Sequence, residues 1–157
     1  MRHSKDIAEG ARNLLVNCAD LRSDETLLIV CEDPNLGWYD NETAQAVANE
    51  ARTLGLTPTL LDVGAPENSR NSNVTKAIEA HTCTIFLSRM GDQDRFADPM
   101  PGKKIVMSYA RDRAELASTY GRANHRAFLQ LKAAVNEILL SGETVHITCP
   151  VSYTHLT

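Results

Sequence analysis

Strand-length apolar runs that alternate with stretches of helical spacing constrain this chain more than any other feature. The runs occupy residues 26–31, 59–63, 83–88, 105–109 and 145–148, and Leu27-Leu28-Ile29-Val30-Cys31 is apolar without interruption. Such a run reads as a strand covered on both faces, because a half-exposed strand would alternate. Between the runs the apolar spacing changes to three and four. Ile7, Ala8, Ala11, Leu15 and Cys18 share one face of a helix over 4–20, and Ala44, Val47, Ala48, Ala51 and Leu54 share one face of a second. The second helix starts at Asp40 or Asn41, either of which can accept from a free first-turn N–H. Gly55 ends it as a left-handed cap, and Pro58 blocks continuation. A short helix passes through Val74, Ala77 and Ile78. The longest is expected over 124–140, ended by Gly142, with Ala127, Leu131, Ala134, Val135, Ile138 and Leu139 on a buried face. Residues 89–104 hold glycine and proline punctuation with one helical turn near Phe96, and an arginine-rich connector leads into the last helix.

Helices alternating with apolar strands imply parallel crossovers. The expected fold is therefore α/β: a doubly wound, mostly parallel five-stranded sheet with helices on both faces and an extra N-terminal helix. A chain of 157 residues is long enough to bury such a core without disulfide or metal staples.

A net charge of −4, with basic residues scattered, gives no footprint for nucleic acid or an anionic membrane. No apolar stretch approaches the roughly 20 residues that cross a bilayer, and MRHSKDIAEG lacks the apolar run of a secretion signal. A cytoplasmic location is expected. Cys18, Cys31, Cys83 and Cys149 never form a C-x-x-C pair and read as buried free thiols. Asn41-Glu42-Thr43 and Asn73-Val74-Thr75 read as helix starts rather than glycosylation sites.

Chemistry-bearing motifs are sparse. Phosphate loops of the G-x-G-x-x-G or G-x-x-x-x-G-K-[ST] type, the G-x-S-x-G elbow and H-E-x-x-H do not occur. Gly102-Lys103-Lys104 lacks the remaining glycine, the hydroxyl and the following helix. His81 reads as a helix-end capping or core residue, His125 as solvated, and no two histidines stand at metal-ligand spacing. No catalytic and no metal-binding residue is expected within this chain. Open parallel sheets bind ligands beyond the carboxyl ends of their strands, where strand order reverses. The loops there bring forward Glu32, Asp33, Arg89, Asp92 and Arg111 as substrate-cleft candidates. The plainer reading makes them helix-start acids and surface ion pairs, and it is preferred. A phospho-acceptor receiver site is rejected, since the third strand ends Ser88-Arg89, the fifth ends Thr148-Cys149, and Ser108 alone fits.

Residues 10–150 resemble the amino-terminal domain of the aminopeptidase T (leucyl aminopeptidase-like) metallopeptidase family. The resemblance rests on Gly10-Ala11-Arg12-Asn13-Leu14 with Asn17-Cys18, on Leu27-Leu28-Ile29-Val30, and on Val47-Ala48-Asn49-Glu50-Ala51-Arg52 with Leu54-Gly55. It also rests on Gly142-Glu143-Thr144-Val145-His146-Ile147-Thr148-Cys149-Pro150, which looks like the family's link into its second domain. The resemblance implies a two-domain hydrolase, homodimeric at full length, that releases N-terminal residues from peptide substrates. It implies a divalent metal pair (zinc, cobalt or similar) held by carboxylates, histidines and a tyrosine of the carboxy-terminal domain. Residues 1–150 are then the non-catalytic domain, inactive alone and binding no cofactor. Trp38, Phe96 and Met100 are expected to be partly exposed where a domain interface is missing. The same superfamily includes an iron-dependent dihydroxypyridine dioxygenase, which is one alternative. A free-standing small-molecule-binding α/β module is another. Residues 151–157, Val-Ser-Tyr-Thr-His-Leu-Thr, resemble a translated transposase-end adapter and are expected to be foreign to the domain.

Overall fold

The computed structural model describes residues 2–66, 72–92 and 100–144. The chain divides into two compact units, Met1–Asn124 and His125–Thr157.

In the first unit, β1 (Leu27–Glu32), β2 (Thr59–Val63), β3 (Cys83–Leu87) and β4 (Lys104–Met107) form a parallel sheet of order β2-β1-β3-β4. The α/β reading and the parallel pairing hold for these four strands, and the run at 145–148 lies outside the described residues. All six residues of β1 are buried, which is why its sequence does not alternate. Leu27, Ile29 and Cys31 join a core cluster with Ala11 and Leu15 and with Ala44, Val47 and Ala51. These partners come from α1 (Arg2–Asn13), the turn after it, and α2 (Asn41–Thr53). Leu28 and Val30 join a second cluster with Val63, Phe86 and Met90, and with Val74 of α3 (Ser72–Ala80). β1 thus anchors both clusters. Each fully buried leucine or isoleucine in it contributes on the order of 1.5–3 kcal/mol relative to exposure.

Helix ends follow from local chemistry. The Asp40 carboxylate accepts from Thr43 N–H at 2.7 Å and caps α2. Gly55, at φ 85°, lets the chain leave α2 in the left-handed region. His81 ends α3 with Nδ1 2.7 Å from the Ala77 carbonyl and Nε2 3.0 Å from Thr59 Oγ1, so both ring nitrogens are satisfied. After α1 the chain widens into a π-helical turn, Leu14–Cys18, with Ala19 N–H donating to the Leu14 carbonyl at 2.9 Å.

The segment expected as an arginine-rich connector contains a helix, α4 (Arg113–Ala117), capped by Asp112, which accepts from Glu115 N–H at 2.7 Å. Five residues are too few to display a helical period, so only the cap and the buried Leu116-Ala117 pair mark it. α4 lies against α1 at Gly10, where a Cβ would stand 2.0 Å from the Leu116 carbonyl oxygen. Asn13 fastens the following turn, its Nδ2 donating to the carbonyls of Gly121 and Ala123 at 2.8 Å each.

The second unit contains α5 (His125–Ser141), 17 residues with none buried. The face expected to be buried is exposed, Leu131 at 59% and Ile138 at 70%. A single helix cannot cover its own apolar stripe, and no other helix or strand occurs among the described residues of this unit. No helix among the described residues is long and apolar enough to cross a membrane.

Candidate functional site

Strand order reverses between β1 and β3, and the carboxyl ends of these two strands bring Glu32 and Arg89 together. Glu32 is the last residue of β1. Because Cys31 pairs with Leu87, the next step along β3 brings residues 88 and 89 beside it. The Glu32 side chain is fully buried. Its Oε2 accepts from Arg89 N–H at 2.8 Å, and its Oε1 accepts from Arg89 Nε at 2.7 Å and from Nη2. One carboxylate therefore holds both the backbone and the guanidinium of the residue that starts the 3-10 turn Arg89–Asp92. The guanidinium lies 4.7 Å from the Trp38 ring centroid, a cation–π contact. Trp38 is 50% exposed.

The loop between β1 and α2 runs over these strand ends. Asp33 N–H donates to the Val63 carbonyl at 2.9 Å, and its carboxylate caps a 3-10 turn, Pro34–Leu36, by accepting from Asn35 N–H at 2.9 Å. Tyr39 is buried and donates its hydroxyl to the Ser108 carbonyl at 3.0 Å. Burial, with the nearby Asp92 and Glu32 charges adding to it, pushes the Tyr39 phenol up to about 12. Asp40 N–H donates to the Arg111 carbonyl at 2.9 Å. The loop is thus tied to β2, to the residues after β4 and, through Trp38, to Arg89.

The five residues put forward from sequence do not form one open cluster. Glu32 and Arg89 meet as a pair whose carboxylate is fully buried and whose guanidinium is partly exposed. Asp92 accepts from the half-exposed Tyr109 hydroxyl at 2.6 Å. Asp33 is a turn cap. Arg111 turns to Glu115, whose Oε2 accepts from the Arg111 N–H at 2.8 Å and whose Oε1 accepts from Nη2 at 2.7 Å. Those hydrogen bonds from Arg111 hold the Glu115 carboxyl below the usual range. The helix-start and ion-pair reading fits Asp33, Arg111 and the Glu32–Arg89 pair, except that the carboxylate of the last is fully buried. Sequence reasoning did not assign Tyr39, Tyr109 and Glu115 to this edge. The hydroxyl of Ser88, fully buried beside Arg89, has no hydrogen-bond partner among the described residues. Of the residues expected to be partly exposed, Trp38 and Met100 are so, and Phe96 lies outside the described residues.

Among the described residues, no three His, Cys, Asp or Glu side chains converge as a metal site. Cys18, Cys31 and Cys83 are free thiols, the last two buried, and Cys149 lies outside the described residues. A separate concavity of about 730 Å³ lies between α1 and α2, away from the Glu32–Arg89 pair. No protein-family model matches the chain, and neither a curated protein nor a solved structure matches it.

Proposed function

We propose that this chain is the non-catalytic α/β domain of a metal-dependent aminopeptidase-like hydrolase, one that releases N-terminal residues from peptides. The observation that carries the proposal is the internally paired Glu32–Arg89 edge at the strand-order reversal. Open sheets bind substrate there, but here the Glu32 carboxylate and the Arg89 guanidinium satisfy each other. Substrate chemistry then belongs to another domain, and the strand-end edge with half-exposed Trp38 and Tyr109 serves as a surface against it. The protein is a cytoplasmic homodimer. The metal pair, zinc or cobalt, sits outside the residues described here. Expression of the gene's reading frame through and beyond the codon for Pro150, followed by aminopeptidase assay with and without a chelator, tests the reading. Chelator-sensitive release of N-terminal residues is expected. A product without that activity overturns it, and ring-cleaving activity with iron would assign the dioxygenase chemistry instead.

One observation favours a second reading. A half-exposed indole with a guanidinium on its face, at the strand-order reversal, is also a shelf for a small planar ligand, as a free-standing binding module would use. Such a ligand would raise the melting temperature of the chain and quench Trp38 fluorescence, and Trp38→Leu would abolish the rise in melting temperature.

A further inference from the structure

We propose that the groove between α1 and α2 binds an extended peptide segment and reads its backbone rather than its side chains. Asn41, Gln45, Asn49 and Thr53 recur every fourth residue along α2, all exposed, and all four line the groove. Ile7 and Ala8 of α1 contribute the apolar part of its lining together with Ala46, and Ser4 adds a hydroxyl. A carboxamide presents one acceptor beside its donors, the same pair of functions that a peptide unit presents. Four residues of helix rise about 6 Å, and two residues of extended chain rise about 6.6 Å. Successive carboxamides on α2 therefore fall nearly in step with the peptide units on one edge of an extended strand. A helical occupant would not use this ladder, because its backbone groups are already satisfied internally.

Charge does not select the occupant. Glu42 pairs with Arg113, and Glu50 pairs with Arg12 at 3.1 Å, so the charged rim is neutralised from within. Asn49 Oδ1 accepts from Arg52 Nη1 at 2.8 Å, which leaves its NH2 as the donor of that rung. The volume of about 730 Å³ is that of a site for a few residues with small side chains. This proposal is independent of the domain role proposed above, since the groove shares no residue with the Glu32–Arg89 edge and its test reads binding.

The test is a titration of the full 15N-labelled chain with a capped hexapeptide of alternating glycine and alanine, followed by NMR. A second titration uses the same peptide with every second amide N-methylated, which removes the hydrogen-bonding edge and leaves the side chains. The side-chain NH2 signals of Asn41, Gln45 and Asn49 are expected to shift with the first peptide and to move little with the second. Gln45→Leu should weaken binding about fivefold to tenfold, the loss of one satisfied rung. Equal shifts with both peptides would mean that the apolar lining alone drives binding and would overturn the proposal. So would the absence of shifts at these carboxamides at millimolar peptide. Both peptide arms use the unaltered chain, so the test stands even if the Gln45→Leu variant fails to fold.

Discussion

At Gly10 an added methyl group would stand 2.0 Å from the Leu116 carbonyl oxygen, which is helix backbone and cannot swing aside. Alanine normally stabilises a helix interior by about 1 kcal/mol over glycine, and here steric conflict reverses the sign. Gly10→Ala is expected to lower stability by about 1–3 kcal/mol, a drop of several degrees in the thermal midpoint by circular dichroism. A raised midpoint would show that α1 and α4 are not in contact at this point. The Glu32–Arg89 pair obeys a different logic. Arg89→Met leaves the fully buried carboxylate without its partly exposed guanidinium but with the N–H of residue 89, and losing charged hydrogen bonds of this kind costs about 1–3 kcal/mol. Replacing both, Glu32→Leu with Arg89→Met, should recover much of that loss, because no uncompensated charge then remains. Urea denaturation followed by the fluorescence of Trp38, the only tryptophan in the chain, measures both variants. A double variant as unstable as the single one would mean that the pair supports the strand ends by shape rather than by charge.

The elements differ in how far their sequences disclose them. β1 was legible because burial on both faces leaves an unbroken apolar run, and α2 because Asp40 and Gly55 mark its ends with opposite backbone needs. The residue types at the strand ends were legible too, but their partners were not. The β1–β3 register brings position 32 beside position 89, and no local pattern encodes a pairing across 57 residues. α4 was missed because its five residues complete little more than one turn. In α5 the helix was legible and its cover was not: periodicity reports which face is apolar, whereas burial depends on a surface that the helix does not supply. Exposed positions tolerate substitution, so Leu131→Glu with Ile138→Glu should change the stability of the first unit by no more than about 0.5 kcal/mol. The same pair should reduce binding of the dye ANS, which reports exposed apolar surface. A large loss of stability would mean that these side chains are covered in solution.

Over the whole molecule, buried acids of different kinds set the pH range in which the fold persists. Burial first, with Asp62 adding to it, pushes the Cys31 thiol up from 9.0 to about 11. Burial, with the Glu25 charge adding and Lys104 opposing, does the same for Cys83, to about 11. Tyr39 is carried from 10.0 to about 12. For such groups the folded state holds its proton while the unfolded chain has already lost it, so ionisation drains stability from the native state as pH rises. Their stabilising effect is fully present below pH 9 and is lost between the ordinary thiol value and the raised ones. Glu25 works in the opposite direction. Burial opposes its ionisation, but Lys104 and Arg22 together outweigh that and hold the carboxyl below its ordinary value, so its contribution is lost as pH falls through the acid range. The alkaline limb is the sharper test, because three buried groups act within one window. Thermal midpoints measured across that window should fall steadily from about pH 9 upward. Cys31→Ala with Cys83→Ala should lower the midpoint at neutral pH through lost packing, yet move the alkaline decline upward toward the range where Tyr39 alone ionises. In the unaltered chain at neutral pH, the thiol reagent DTNB should reach Cys18 well before Cys31 and Cys83, which react only as the fold opens. Rapid labelling of the two strand cysteines in the native state would remove the basis for the alkaline decline, since thiols open to reagent are open to water and ionise at their ordinary value.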